Sequence, residues 1–252
     1  MHAILYIAGR AHRLGALAAA RNKVLLEFEG KSLLERHVML LRKMGVSKLY
    51  LVTGHLRENI QDVMPVLASR YGVQIEELYN VDYSEGSALS MHASLTALIN
   101  VSDQVLIMDG DVLYDVRMLQ RLLDSPHRTA LLVDRDYSKV DDDPVLVPLR
   151  GGKPFEFVKK WKPEPGTQAE TVGESVGFFK VHATDLPALI RETCARTTGL
   201  ARSDSYDEIL RALVKQGLFG AEDITGLPWT EIDFPHDIDY AAKVILPALQ
   251  DA

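Results

Sequence analysis

The chain has 252 residues, of which 47% are hydrophobic and 25% charged, with a formal net charge of −7. That length is enough for one large domain with an ample core, and the acidic balance excludes the broad basic surface that general nucleic-acid binding needs. The single cysteine, Cys194, excludes an internal disulfide and suits a reducing compartment, and no stretch approaches the roughly 18 apolar residues of a membrane span.

Elements are expected in the following order. His2–Ala8 reads as a strand, too short and too soon followed by Gly9 and Arg10 to be a secretion signal, so a cytoplasmic location is expected. Apolar residues at helical spacing predict a helix over Ser32–Met44, and Lys48–Thr53 follows as a strand. A helix over Glu58–Tyr71, a strand over Val73–Leu78, a helix over Gly86–Leu98, a strand over Gln104–Met108 and a helix over Val116–Leu123 continue the alternation. Alternating strands and helices predict an α/β fold, a Rossmann-like and mostly parallel sheet with helices on both faces, whose ligands bind beyond the carboxyl ends of the strands.

The second half changes character. Thr129–Asp134, Val145–Leu149, Phe155–Val158 and Ser175–Val181 read as short extra strands, and residues 137–144 as an acidic connector. Helices are expected over Leu186–Thr197, Ser205–Lys215 and Asp237–Leu249. The organisation expected is one domain: about 1–135 as a nucleotide-binding half, about 136–236 as an inserted acceptor region and 237–252 as a C-terminal helix.

Three sets of residues carry chemistry. After the first strand, Ala8-Gly9-Arg10-Ala11-His12-Arg13 presents backbone N–H groups and two arginines to an anion, and Lys23 lies a short loop away as a mobile charge. A tight turn with solvated arginines is the plainer alternative, and a solvated Lys23 would contribute little to stability. Asp109-Gly110-Asp111 runs directly out of an apolar strand, and hard oxygen ligands there suit Mg²⁺, although a turn or helix cap would also use aspartate. The third set is Trp229-Thr230-Glu231-Ile232-Asp233-Phe234-Pro235-His236-Asp237, in which Asp237 reads as a helix-capping acid, His236 as a surface residue and Trp229 as core filling.

The run Ile7 to Leu14, then Asn22-Lys23, then Gly30-Lys31-Ser32-Leu33-Leu34-Glu35, resembles the nucleotidylyltransferase signature A-A-G-x-G-x-R-L, P-K, G-K-P-L-L-E. The similarity runs along nearly the whole chain and is strongest to bacterial choline-phosphate and inositol-phosphate cytidylyltransferases. It implies a catalytic Lys23 aided by Arg13, and nucleotide contacts from Ala8, Gly9, Arg10, Ala11, Ser87 and Asp109. It also implies Mg²⁺ held by Asp111 and, through the late W-x-E-I-D-x-P-x-D segment, by Asp233. Three positions depart from the pattern: Ile7 for alanine, Ala11 for the second glycine and Asn22 for proline.

On the acceptor side, Lys160 takes the place of a second, acceptor-phosphate lysine in related sugar enzymes, with a solvated strand edge as the plainer reading. Glu174, Tyr206 and Asp207 fall where the organic part of the acceptor would lie, and acids beside Trp161, Tyr83 and Tyr206 suit a cationic group. The function expected is Mg²⁺-dependent cytidylyl transfer from CTP to a small phosphorylated or phosphonylated alcohol with release of pyrophosphate, with no nucleic-acid or membrane partner. The alternatives are a sugar-1-phosphate nucleotidylyltransferase using UTP, dTTP or GTP, and a non-catalytic nucleotide-sensing module.

Overall fold

The computed structural model describes residues 1–15, 21–136, 144–163, 166–199 and 204–250; the acidic connector expected over 137–144 lies almost entirely outside them. Strand β1 (His2–Tyr6) is central, and its residues Ala3, Ile4 and Leu5 are fully buried because both faces of the sheet are covered. Two short strands, β2 (Glu27–Phe28) and β3 (Lys31–Ser32), form a hairpin ahead of the first long helix. That helix, Leu33–Lys43, starts where Ser32 Oγ accepts the Glu35 amide at 3.1 Å. Strands β4 (Lys48–Thr53), β5 (Gln74–Tyr79) and β6 (Gln104–Asp109) complete a parallel block in the order β6-β1-β4-β5. The parallel sheet expected from the alternating pattern is present, with ends within a residue or two of those expected.

Beyond β6 the sheet changes direction. A three-residue strand, β7 (Val112–Tyr114), leads to the helix Val116–Asp124 and to β8 (Ala130–Asp134). Strands β9 (Val145–Arg150), β10 (Lys153–Pro154) and β11 (Val158–Lys159) then meander beside β12 (Thr171–His182), which lies antiparallel against β6, β8 and β9. Strand β13 (Gly220–Asp223) adds to β8, whereas β14 (Trp229–Glu231) leaves the main sheet and pairs with β7.

Three expectations need correction. The helix expected over 86–98 is two pieces, Ala88–Ala93 and Leu95–Leu98, interrupted where Ser94 Oγ donates to the Met91 carbonyl. The strand expected over Phe155–Val158 is not continuous, because Phe155 to Phe157 lie between β10 and β11. The last helix covers Pro235–Tyr240 and then loosens into a wider turn over Ala241–Ile245 and a tighter one over Leu246–Ala248.

Helices cover both faces of the sheet, and a third, smaller apolar cluster lies at the rim. It joins Leu14 after the glycine loop, Phe28 and Leu33, Leu113 on β7, and Ile232, Ile245 and Leu246 near the C-terminus. This cluster draws the C-terminal segment against the glycine loop. Among the described residues, no helix is long and apolar enough to cross a membrane.

Candidate active site

In the loop after β1, Ala11 sits at φ 50°, in the left-handed region that glycine prefers, so an alanine holds a backbone conformation in which its Cβ is disfavoured. Asn22, in place of proline, is buried and acts as a clamp. Its Nδ2 donates to the carbonyls of Ile7 at 3.2 Å and His55 at 2.9 Å, and its Oδ1 accepts the Val24 amide at 3.2 Å. The short turn Lys23–Leu25 is thereby pinned to the ends of β1 and β4.

Lys23 is not the solvated loop lysine that the sequence suggests. Its side chain is 12% exposed, and its Nζ lies 2.5 Å from Asp111 Oδ2 and 2.8 Å from Asp233 Oδ1. Burial pulls this ammonium's pKa down, but the two carboxylates outweigh it and hold it above the usual lysine range. For Asp233, burial pushes the carboxyl up, and Lys23 followed by Arg13 more than reverses it, holding the group below the usual range. Arg13 Nη2 approaches Asp233 Oδ2 at 2.5 Å while its guanidinium lies over the Phe234 ring, 4.9 Å from the centroid.

Asp111 and Asp233 meet through a local two-stranded ribbon outside the main sheet. In the β7–β14 pair, Val112 faces Glu231 and Tyr114 faces Trp229, and the Ile232 amide donates to the Asp111 carbonyl at 2.9 Å. Two carboxylates that converge on one ammonium also fit a hard divalent cation, which completes its shell with water and substrate phosphate oxygens. Asp237 caps the following helix, its Oδ2 accepting the Asp233 and Phe234 amides at 2.9 and 2.7 Å.

Asp109 is differently placed. It is partly buried, accepts the Tyr206 hydroxyl, and its carboxyl pKa is raised first by desolvation and then by the Asp111 charge. The Tyr206 hydroxyl is raised as well, by burial and then by Asp109 and Asp207. Gly177 on β12, at φ +75°, leaves Asp109 its space, since a Cβ there would overlap the carboxylate.

Two cavities flank these carboxylates. One of about 300 Å³ is lined by Ala8, Gly9, Lys23, Tyr83, Ser87, Asp109, Asp111 and Tyr206. The other, of about 140 Å³, is lined by Arg13, Asp109, Lys159, Glu174, Tyr206, Asp207, Glu231 and Asp233. Asp109 and Tyr206 belong to both and form the partition. The start of the helix Tyr206–Lys215 is tied to the first cavity by its Tyr206 amide, which donates to Ser87 Oγ at 3.0 Å.

Of the residues singled out in the sequence, Arg10, Ala11 and Lys160 line neither cavity. Arg10 lies with its guanidinium 5.5 Å from the Tyr83 ring centroid. Lys160 sits exposed in a left-handed turn at φ 53°, and Lys159 on β11 faces the smaller cavity instead. Trp161 packs edge-on to Phe155, away from both cavities, so only Tyr83 and Tyr206 of the three aromatics adjoin them. Trp229 is partly buried and donates from Nε1 to Asp134 at 2.8 Å.

One residue escaped sequence reasoning altogether. His37, fully buried on the Leu33–Lys43 helix, lies with Nε2 3.2 Å from the Gly110 carbonyl, between Asp109 and Asp111. Burial lowers its pKa to about 4, so near neutral pH it is an uncharged imidazole that can donate from Nε2 and hold that turn. In sequence it is one more member of an apolar helical stripe, with nothing to mark it.

Residues 3–216 match the model of the MobA-like NTP transferase domain. The chain is 23% identical to the CTP:phosphoglutamine cytidylyltransferase of Campylobacter jejuni over 95% of its own length and 98% of that protein. It is 28% identical, over 90% of its length, to a bifunctional IPC transferase and DIPP synthase of Rubrobacter xylanophilus, of which it spans about half (48%). In fold it is similar to the inositol-1-phosphate CTP transferase of T. maritima, with a TM-score of 0.73, 20% identity, and 94% and 90% of the two chains covered.

Proposed function

The chain belongs to the MobA-like NTP transferase family and is a nucleotidyltransferase, and on that premise we propose that it moves a cytidylyl group from CTP to a small phosphorylated or phosphonylated alcohol. An acceptor oxygen forms the new bond to the α-phosphorus, the α–β bridging bond breaks, and pyrophosphate leaves with its electron pair. The convergence of Lys23, Arg13, Asp111 and Asp233 is the observation that carries this reading. Asp111 and Asp233 would hold Mg²⁺, which when bound neutralises phosphate charge and polarises the α-phosphoryl group. The larger cavity suits the nucleotide, with the Gly9 backbone and Lys23 toward its phosphates. The smaller one, with Arg13 and Lys159, suits the acceptor phosphate. Positive charge aimed at the reacting phosphates is the main contribution asked of a protein in this chemistry, and no side-chain nucleophile is required. The Asn22 clamp, which holds Lys23 at the carboxylates, supports a working site over a nucleotide sensor.

CTP as donor is supported by the named activities of the relatives. A pyrophosphate-release screen of CTP, UTP, dTTP and GTP against aminoalkyl, polyol and sugar phosphates, with Mg²⁺, tests it. Turnover should be best with CTP and a non-sugar acceptor; best turnover with UTP or dTTP and a sugar 1-phosphate would replace this reading with its sugar-phosphate alternative.

A further inference from the structure

Gly110 and Asp111 are the whole connection between β6 and β7, and the acids on either side of that glycine go to different partners. Asp109 accepts the Tyr206 hydroxyl, whereas Asp111 reaches Lys23. The backbone of this connection is gripped at several points. The Gly110 amide donates to the Tyr6 carbonyl at 3.1 Å, and the Asp111 carbonyl accepts the Ile232 amide at 2.9 Å. A Cβ on Gly110 would lie 2.3 Å from Ile7 Cγ2, so the turn is pressed onto the end of β1. The Gly110 carbonyl meets the Leu33–Lys43 helix, where His37 Nε2 lies 3.2 Å from it.

A peptide unit is planar, so fixing the Gly110 carbonyl fixes the plane that ends at the Asp111 Cα. With the Asp111 carbonyl held as well, the peptide planes on both sides of Asp111 are set, and its carboxylate is aimed from a fixed base. A carbonyl can only accept, so His37 carries its proton on Nε2. Its Nδ1 is buried with no hydrogen-bond partner among the described residues, and a proton there would be an orphaned donor. Two rings hold the imidazole in place. Tyr114 on β7 lies 5.1 Å from it and Phe178 on β12 lies 6.3 Å from it, while those two meet edge to face at 4.7 Å. An apolar side chain could fill this space; the N–H is what histidine adds.

We propose that His37 is a positioning residue for metal capture: its Nε2–H, bonded to Gly110, sets the peptide plane that aims Asp111, and with it the Mg²⁺ concentration the enzyme needs. This inference rests on the transfer reading above, in which Asp111 is a metal ligand, and deepens it. Groups that orient a ligand from behind typically govern metal affinity by about 10–100-fold.

Two substitutions separate the N–H from the bulk of the ring. His37→Gln keeps a donor for Gly110, and His37→Leu fills the space without one. Mn²⁺ binding, followed by electron paramagnetic resonance with CTP present and no acceptor, needs no turnover. His37→Leu should weaken it at least about tenfold, with His37→Gln within about threefold of the unaltered protein. The Mg²⁺ concentration for half-maximal pyrophosphate release should move in the same order while the acceptor KM stays put. Equal Mn²⁺ affinity in all three proteins would overturn the positioning role and leave the metal site standing. Equal weakening in both variants would overturn it too, in favour of ring packing. No Mn²⁺ uptake by the unaltered protein would sink the metal site and this proposal with it. The expected order of Mn²⁺ affinities without pyrophosphate release from any acceptor would leave His37 in its role and sink the transfer reading. Should His37→Leu fail to fold, nuclear magnetic resonance of the unaltered protein with isotope-labelled histidine decides. His37 should be the Nε2–H tautomer with a slowly exchanging proton, and the Nδ1–H tautomer would overturn the proposal.

Discussion

The two walls of the cleft are made of different material. On the side of Ala8 and Gly9 the wall has little side chain to offer, and beside it Asn22 pins the Lys23–Leu25 turn to two strand ends. On the side of β11 and β12 it is made of side chains, Lys159, Glu174, Tyr206, Asp207 and Glu231, supplied by four different elements. A backbone wall recognises groups common to every nucleoside triphosphate, because its N–H groups do not change with sequence. A side-chain wall can be rewritten residue by residue, which is what a family with many acceptors requires. Lys23 and its two carboxylates stand between them.

The largest effect is expected at that junction. Lys23→Ala should lower transfer by about 10²–10³-fold, the scale of losing one group aimed at developing charge. It should also destabilise the protein by about 3 kcal/mol, because Asp111 and Asp233 lose the cation between them. Adding Asp233→Asn should restore much of the stability and none of the activity. Unfolding at an unchanged temperature in Lys23→Ala would mean that the buried pairing carries no weight.

A pair of glycines sharpens the contrast between the walls. Gly177→Ala places a methyl group over Asp109 in a left-handed conformation and should cost about 2–3 kcal/mol together with most activity. Gly9 has open space around it and no such backbone constraint, so Gly9→Ala should leave stability within about 0.5 kcal/mol while raising the KM for nucleotide. Equal loss of stability from both would erase the distinction drawn here.

The smallest effect concerns His37. Its pKa is about 4 in the folded protein against 6.5 ordinarily, so between those values the unfolded chain binds the extra proton. Stability therefore falls as the pH drops through that window, by about 2 kcal/mol at pH 5 relative to neutral from this group alone. Urea unfolding at pH 7 and 5 should show the fall, and His37→Gln, which retains an N–H donor for Gly110, should flatten it. An acid limb as steep in the variant would assign the fall to other groups.

The parallel half was legible because β1, β4 and β6 are continuous apolar runs spaced by helical patterns, and their carboxyl ends mark the rim. The acceptor half was harder to read for reasons of scale. The ribbon β7–β14, which unites Asp111 with Asp233, uses strands of three residues, too short to show a period, joined across more than a hundred residues of chain. Lys159 and Lys160 illustrate the same limit, since a shift of one residue in a strand moves a side chain to the other face. Glycine within β12 was a usable signal of close approach at Asp109, whereas His37 and the Asn22 clamp depend on partners that no local pattern names.

The ion pairs of Lys23 bear on the order of events in solution. In the free protein the two acids already have their counter-ion, so if they hold a divalent cation, as proposed, binding it would require Lys23 to give them up. A triphosphate changes that exchange by offering Lys23 a new anion at the moment the acids need a new cation. On the proposed reading, metal and nucleotide are then captured together, each raising the protein's affinity for the other by the same factor.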